Sequence, residues 1–415
     1  MVRYFKLLGP GLVTGASDDD PGGIATYSIA GASLGYGMLW TAIATLPLTI
    51  AVQLTCARIG LVSGRGLAGV LRHSYPRRLL YVACLLLLVA NVFNISADLG
   101  GMAEVVEMLT GVRSIVFVPL FGFLTLAVTV YTSYATFARY LKWLTVVLFA
   151  YVIAPFLARP DWARVLWATV LPDLSRDPNY MATLVGILGT TISPYLFFWQ
   201  ASQEVEEEKA LGRRTLAQRR GATEHELHDA RLDVITGICL SNLVFYFIIL
   251  TTASTLYRAG QRDIQSARQA AEALKPLAGD AAYFLFALGL IGTGLLAIPV
   301  LAGSASFAVA ELFGWRAGLD LSPRRARRFY LVLAGAIVIG MILDLLNTNP
   351  IRMLFWSAVL NGVLAPPLLV LVMLVGNNRK VMGEHANGFW LNLLGWTATA
   401  LMAVAAIALL VVSLA

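Results

Sequence analysis

Apolar residues dominate eleven segments of the chain, each about the length of a membrane-spanning helix and separated by short polar stretches. The segments are 7–31, 36–59, 79–109, 114–133, 138–158, 181–203, 232–257, 281–312, 329–346, 351–375 and 390–414. A helix needs roughly 20 mostly apolar residues to cross the hydrocarbon core, so this pattern predicts an all-α polytopic membrane protein. The longest polar interval, 204–231, is too short for a separate soluble domain. One transmembrane domain is therefore expected over 1–415. The first segment follows Arg3 and Lys6, as in a signal peptide. Acidic residues interrupt it and no small-residue cleavage site follows a clean apolar core, so it reads as the first span.

Two segments break their own pattern. In the first, Pro21 removes a backbone donor and Gly22 and Gly23 loosen the helix, immediately after Asp18, Asp19 and Asp20. In the sixth, 181–203, Ser193-Pro194 interrupts the run just after Gly189, Thr190 and Thr191. A single such break is more often a plain proline kink. In lipid, however, freed backbone groups are tolerated where they line a polar cavity. Paired breaks at matching positions of two halves point to a transporter site near the midplane. Spans one and six match if five spans (about 7–158) are followed by five more (about 181–375), with an extra helix at about 390–414. An odd number of spans per half inverts the second copy.

Composition agrees with the membrane reading: 58% of residues are hydrophobic, 13% are charged and the mean hydropathy is +0.73. About a quarter of residues are charged in ordinary soluble proteins. The net charge of +7 is not a nucleic-acid signal, because the basic residues concentrate in alternate loops. With the N-terminus in the cytoplasm, 22 Lys and Arg fall inside and 9 outside, in accord with the positive-inside rule. The expected location is the inner (plasma) membrane, with the C-terminus outside. The run 316–328 suits an inside loop against anionic lipid, and Trp and Tyr near span ends suit interface anchoring. Cys56, Cys84 and Cys239 lie in or beside spans and read as packing residues.

Residues 16–27, ASDDDPGGIATY, resemble the Asp-Pro-Gly-Asn signature of the NRAMP family of divalent-metal transporters. GTTISPYLFFWQASQE in span six is similar to that family's Met-Pro-His segment. NISADLGGMAEVV in span three resembles its Asp-x-x-Glu-x-x-Gly helix, with Asp98 and Gly101 in register with the Glu and Gly. Weaker similarity runs through Asp233, Asn242 and SASFAVAELFGW. The resemblance implies a LeuT-like inverted repeat with spans 1 and 6 broken, and uptake of divalent cations by alternating access. It implies a metal site at Asp20, Gly23, Thr190 (through its carbonyl) and Ser193, with Pro21, Gly22 and Pro194 setting the breaks. Mg²⁺ or Mn²⁺ would be substrate, and no prosthetic group is implied. The NRAMP-related magnesium transporter branch is the most similar.

The departures from the family pattern carry the selectivity argument. The family's Asn falls at Gly23, its Met at Ser193, its two His at Tyr195 and Gln200, and its Arg at Glu207. In span three its first acid falls at Ile95 and its Glu at Asp98. Thioether and imidazole select softer metals, whereas carboxylate, carbonyl and water suit Mg²⁺, Ca²⁺ and Mn²⁺. Loss of Asn and Met side-chain volume also predicts a roomier site, suited to Mg²⁺ with part of its water shell. With most of the family's proton route absent, transport is expected to be weakly proton-coupled or uncoupled. A dication moving inward gains about 4.6 kcal/mol per 100 mV.

Asp98, Tyr195, Gln200 and Asn361 remain as proton or cavity residues, with Asn361 equally suited to a helix contact. Asp18 and Asp19 read either as outer-mouth residues attracting cations or as cap and solvated residues. His225-Glu226-Leu227-His228 lacks the His-Glu-x-x-His spacing of a zinc protease and reads as part of a solvated amphipathic segment. No span carries a Gly-x-Ser-x-Gly, a zinc-binding His pair or an aspartyl Gly-x-Gly-Asp pair, so a transporter is expected rather than an enzyme. A proton-coupled Mn²⁺/Fe²⁺ carrier of the same family is the nearest alternative. A LeuT-fold amino-acid carrier is the alternative of another class, against which Asp20 at the break argues. The partners expected are the divalent ion and the bilayer, with no nucleic acid; the chain suits a monomer, but nothing in it fixes the oligomeric state.

Overall fold

The computed structural model describes residues 9–132, 146–175, 177–346 and 349–414. Among these the regular structure is helical throughout. The opening span is two helices, α1 (Pro10–Asp18) and α2 (Pro21–Leu34). There follow α3 (Trp40–Ser63), α4 (Leu67–Ser74), α5 (Arg77–Thr110), α6 (Phe117–Tyr131), α7 (Ala150–Ala158) and α8 (Trp162–Val170). The sixth span is again two helices, α9 (Pro178–Thr191) and α10 (Pro194–Ala210). The remainder is α11 (Glu224–Thr252), α12 (Ala282–Phe313), α13 (Arg327–Leu345), α14 (Pro350–Gly376) and α15 (Phe389–Leu414).

Nine helical segments among the described residues are long and apolar enough to cross a membrane. The two other expected spans are the broken first one and 138–158, whose beginning lies outside the described residues. Two of the polar stretches carry helix. The interval 204–231 is not mainly loop: α10 runs on to Ala210 and α11 begins at Glu224. A capping box accounts for the early start, with Thr223 accepting from the Glu226 amide and Glu226 reaching back to Thr223. The polar stretch after span five also contains a helix, α8, started by Asp161 at its N-cap.

The long helices α5 and α12 pack along each other, with α13 and α14 also against α5. The broken helices sit inside this frame. α1 and α2 lie on α11, α9 lies on α14 and α10 lies on α3. Large apolar side chains such as Leu85, Phe123, Val404 and Ile407 are exposed on the outside, as a lipid-facing surface requires.

Glycine sets how closely the first halves of the broken helices approach their supports. A Cβ on Gly15 of α1 would stand 2.2 Å from the Gly237 carbonyl oxygen of α11, and one on Gly237 would stand 2.1 Å from Gly11 O. The second break repeats this: a Cβ on Gly189 of α9 would be 2.1 Å from Ala358 O, and one on Gly362 of α14 would be 2.3 Å from Val185 O. These are backbone-on-backbone contacts of the small-residue kind found between membrane helices. Gly237→Ala is expected to cost about 1–3 kcal/mol by overpacking, read as a lowered Tm of the purified protein. An unchanged Tm would show that the seam yields freely.

Candidate functional site

Each break is two residues long and is restarted by a proline. α1 ends at Asp18; Asp19 and Asp20 leave helical geometry, with Asp20 extended (φ −68°, ψ 170°), and Pro21 begins α2. α9 ends at Thr191; Ile192 and Ser193 leave it, with Ser193 extended (φ −75°, ψ 132°), and Pro194 begins α10. Proline suits the first helical position because its missing donor would be unpaired there anyway. Asp20 and Ser193 thus occupy the same N-cap position in the two broken helices.

Asp20 caps α2 through Oδ1, which accepts from Gly23 N at 2.6 Å. Asp98, on α5, is buried as well. Thr190 faces α2 from the second break, close to Gly23. Ser193 Oγ donates into the last carbonyls of α9, 2.7 Å from Thr190 O and 2.9 Å from Gly189 O. A carbonyl has two lone pairs, so Thr190 O retains one for a cation. Gly23 brings the two breaks together: a Cβ there would lie 3.0 Å from Thr190 Oγ1 and 3.2 Å from Asp18 O. The roomier site expected at Gly23 is therefore not what this conformation has. α2 has closed into the volume that a side chain would have taken.

Asp18 and Asp19 do not stand at a solvated mouth. Both are buried, each 4% exposed, like Asp20. Ser241 of α11 shares its hydroxyl proton between them, 3.1 Å from Asp18 Oδ2 and 3.1 Å from Asp19 Oδ1. Sequence reasoning missed Ser241, and a lone Ser in an apolar helix gives no signal for it. Asn361 is placed in a helix contact rather than a cavity. Its amide pairs with Asn94 of α5, Nδ2 to Oδ1 at 3.2 Å one way and 2.9 Å the other. Asn94 lies one turn before Asp98, so helical spacing could have found it.

Tyr195 and Gln200, expected as proton or cavity residues, here fasten α1. Tyr195 OH donates to Ser17 O at 2.7 Å. Gln200 accepts from Thr14 Oγ1 at 2.5 Å and donates to Glu204 Oε1 at 2.8 Å. The far end of α1 is held by Asp233 of α11, whose carboxylate accepts from the amides of Gly9 (2.9 Å), Gly11 (2.6 Å) and Leu12 (3.0 Å). Gly9 itself supplies no side-chain cap, so the orphan donors at the start of the helix are met from another helix.

The electrostatics of the centre are one-sided. Asp18, Asp19, Asp20 and Asp98 are buried, and none is in an ion pair among the described residues. Asp18 Oδ1 and Asp98 Oδ2 have no hydrogen-bond partner among the described residues. A buried carboxylate that stays ionised needs a charge partner or a metal. Among the described residues no three His, Cys, Asp or Glu form a ready-made metal cage, so direct protein ligands would be few and supplemented by carbonyl, hydroxyl and water oxygens. Histidines 73, 225, 228 and 385 all lie away from the breaks, at exposed or half-exposed positions. The thioether of Met102, one turn beyond Asp98, points at Gly294 of α12.

A helical membrane bundle whose two broken helices meet around buried carboxylates has the architecture of the LeuT-like carriers. The chain belongs to the Nramp family: the family model described as natural resistance-associated macrophage protein-like matches residues 11–412. It is 28% identical over 414 residues to the divalent metal cation transporter MntH of Klebsiella pneumoniae subsp. pneumoniae, covering 95% of this chain and 91% of that one. It is 24% identical over 394 residues to MntH of Caldanaerobacter subterraneus subsp. tengcongensis, covering 93% and 88%. Among solved structures, the Eremococcus coleocola manganese transporter superposes with a TM-score of 0.73 at 17% identity, over 97% of this chain and 85% of that one. Mhp1, a nucleobase-cation-symport-1 family transporter in a closed conformation, superposes with a TM-score of 0.59 at 14% identity, over 98% and 92%.

Proposed function

We propose that this chain is a secondary transporter that takes up divalent metal cations by alternating access, favouring Mg²⁺ with Mn²⁺ second, and weakly or not coupled to protons. The supporting observation is the set of four buried carboxylates at the paired breaks with no ion-pair partner among the described residues. The names of the curated relatives support a divalent metal as substrate. Asp20, the Thr190 carbonyl and Ser193 are the proposed ligands, with Gly23 admitting the close approach of the two breaks.

The preference for Mg²⁺ rests on donor chemistry. The proposed ligands, Asp20, the Thr190 carbonyl and Ser193, all offer oxygen. Such a set suits hard cations. The absence of any histidine from this group supports weak coupling, because histidine is the side chain whose ordinary pKa lies nearest neutral pH. The repeats are proposed as about 7–158 and 181–375, with α15 appended. The N-terminus is proposed to be cytoplasmic and the C-terminus outside, in the inner membrane.

The test is uptake into proteoliposomes of Mg²⁺, Mn²⁺, Fe²⁺ and Ca²⁺ with a pH-sensitive dye in the lumen. Mg²⁺ and Mn²⁺ are expected to enter without acidification. Uptake of Mn²⁺ and Fe²⁺ with Mg²⁺ inert would overturn the hard-ion reading. Metal-dependent acidification would make Asp98, buried beside Asp20, the proton carrier.

A further inference from the structure

A small basic pocket of about 210 Å³ lies where three distant parts of the chain meet. Ser63 and Arg65 come from the corner between α3 and α4, and His73 and Ser74 from the end of α4 and the residue before it. Arg220 comes from the link between α10 and α11, and Lys380 from the link between α14 and α15. Among the described residues no carboxylate lines it.

The protein does not use up these charges itself. Arg65, Arg220 and Lys380 are in no ion pair among the described residues. The neighbouring Arg219, by contrast, is committed to the carbonyls of Gly64, Arg213 and Arg214. Arg65 is partly buried, and its Nη1 is fully enclosed with no hydrogen-bond partner among the described residues. Burial and then the nearby Arg220 hold its guanidinium below the ordinary pKa, with Glu311 of α12 acting the other way. Glu311 is itself occupied, accepting from the amides of Gly66 at 3.0 Å and Gly69 at 2.8 Å. His73 turns Nδ1 to Gly69 O at 2.8 Å, which leaves Nε2 for another partner. The positive-inside rule accounts for many bases on one face of the membrane. It does not account for an enclosed guanidinium nitrogen without an acceptor, which is costly to leave unpaired.

We propose that this pocket binds a phosphate group, with Arg65 as its enclosed anchor and Arg220 and Lys380 as the charges that close on it. A guanidinium offers a planar fork of donors that matches phosphate oxygens, and lysine adds a point charge. The volume admits a phosphate with a few waters of about 30 Å³ each. The headgroup of an anionic lipid and a free phosphate ion share this chemistry. The link that follows α10 is already tied to the end of α3, by Gly221 N on Val62 O at 2.9 Å and by Arg219 on Gly64 O. A phosphate held by Arg65, Arg220 and Lys380 fastens that link to the α14–α15 connection as well, and so joins the second broken helix to the frame.

The experiment follows the Tm of the full chain in detergent, at an ionic strength held constant with chloride, as inorganic phosphate or short-chain phosphatidylglycerol is added. Short-chain phosphatidylcholine is the control amphiphile. A ligand that binds the folded chain raises Tm in a saturable way. Wild type is expected to show such a rise, and Arg65→Gln to lose it. Arg220→Gln and Lys380→Gln, at exposed positions, are expected to need about tenfold more ligand for half the rise, the scale of one charge-assisted hydrogen bond. These two variants decide the matter if Arg65→Gln does not fold. A rise with inorganic phosphate assigns the site to free phosphate, and a rise with phosphatidylglycerol alone assigns it to a lipid headgroup. The proposal is overturned if neither ligand gives a saturable rise, if phosphatidylcholine acts as phosphatidylglycerol does with phosphate inert, or if the variants respond as wild type does.

Discussion

Asp20→Ala is expected to abolish metal uptake, lowering the initial rate in proteoliposomes by at least about a hundredfold, the upper range for loss of a group that tunes a metal site. Asp20 has two tasks that this substitution removes together. It caps α2 through Gly23 N, and replacing an N-cap by Ala costs about 0.5–2 kcal/mol. It also supplies negative charge where the two breaks meet. Asp20→Asn separates the tasks, because Asn caps a helix as well as Asp does but brings no charge. The Asn variant is expected to keep the wild-type Tm and still fail to transport. Wild-type uptake by Asp20→Asn would remove the charge of Asp20 from the mechanism and leave only its cap.

Ser193→Met is expected to turn the preference from Mg²⁺ toward Mn²⁺ and Fe²⁺ by about tenfold, equivalent to about 1.4 kcal/mol. The physical basis is a thioether placed where only hydroxyl and carbonyl oxygens now stand. Ser193 is 1% exposed and its hydroxyl is turned into the last turn of α9. The larger side chain must therefore displace neighbours, at about 1–3 kcal/mol of stability. The ratio of Mn²⁺ to Mg²⁺ uptake is the relevant measurement, since it cancels any loss of folded protein. An unchanged ratio would show that position 193 does not contact the ion. Gly23→Asn is a harder substitution, because Thr190 Oγ1 and Asp18 O already crowd the Cβ position.

The sequence made both breaks legible because proline and glycine act locally: Pro21 and Pro194 start their helices wherever the rest of the chain lies. The helix ends at Glu224 and Asp161 were written just as locally, in capping residues that the apolar pattern does not weigh. The fates of Asp18, Asp19 and Asn361 were not legible. Whether a carboxylate meets water or Ser241 depends on how α1 is rotated against α11, and that rotation is set by Gly11 and Gly15 against Gly237, more than two hundred residues further along the chain. Tyr195 and Gln200 show the same limit. Their place on α10 followed from helical spacing, but their partners Ser17 and Thr14 follow only from the packing of one half-helix on another. The volume expected to open at Gly23 closed instead, because a missing side chain in a packed bundle lets the neighbouring helix approach.

The glycine seams have a kinetic consequence. Where helices meet through interlocked side chains, separating them requires rotamers to be re-sorted on both faces. Along Gly11, Gly15 and Gly237, and along Gly189 and Gly362, backbone meets backbone, and glycine has no rotamer to change. Such a surface has no side-chain interlock to undo, so what opposes its separation is contact area and the polar fastenings along it. α1 is fastened to its supports by Asp233 at its start, by Gln200 through Thr14, by Tyr195 through Ser17 O and by Ser241 through Asp18, points that single substitutions can loosen one at a time.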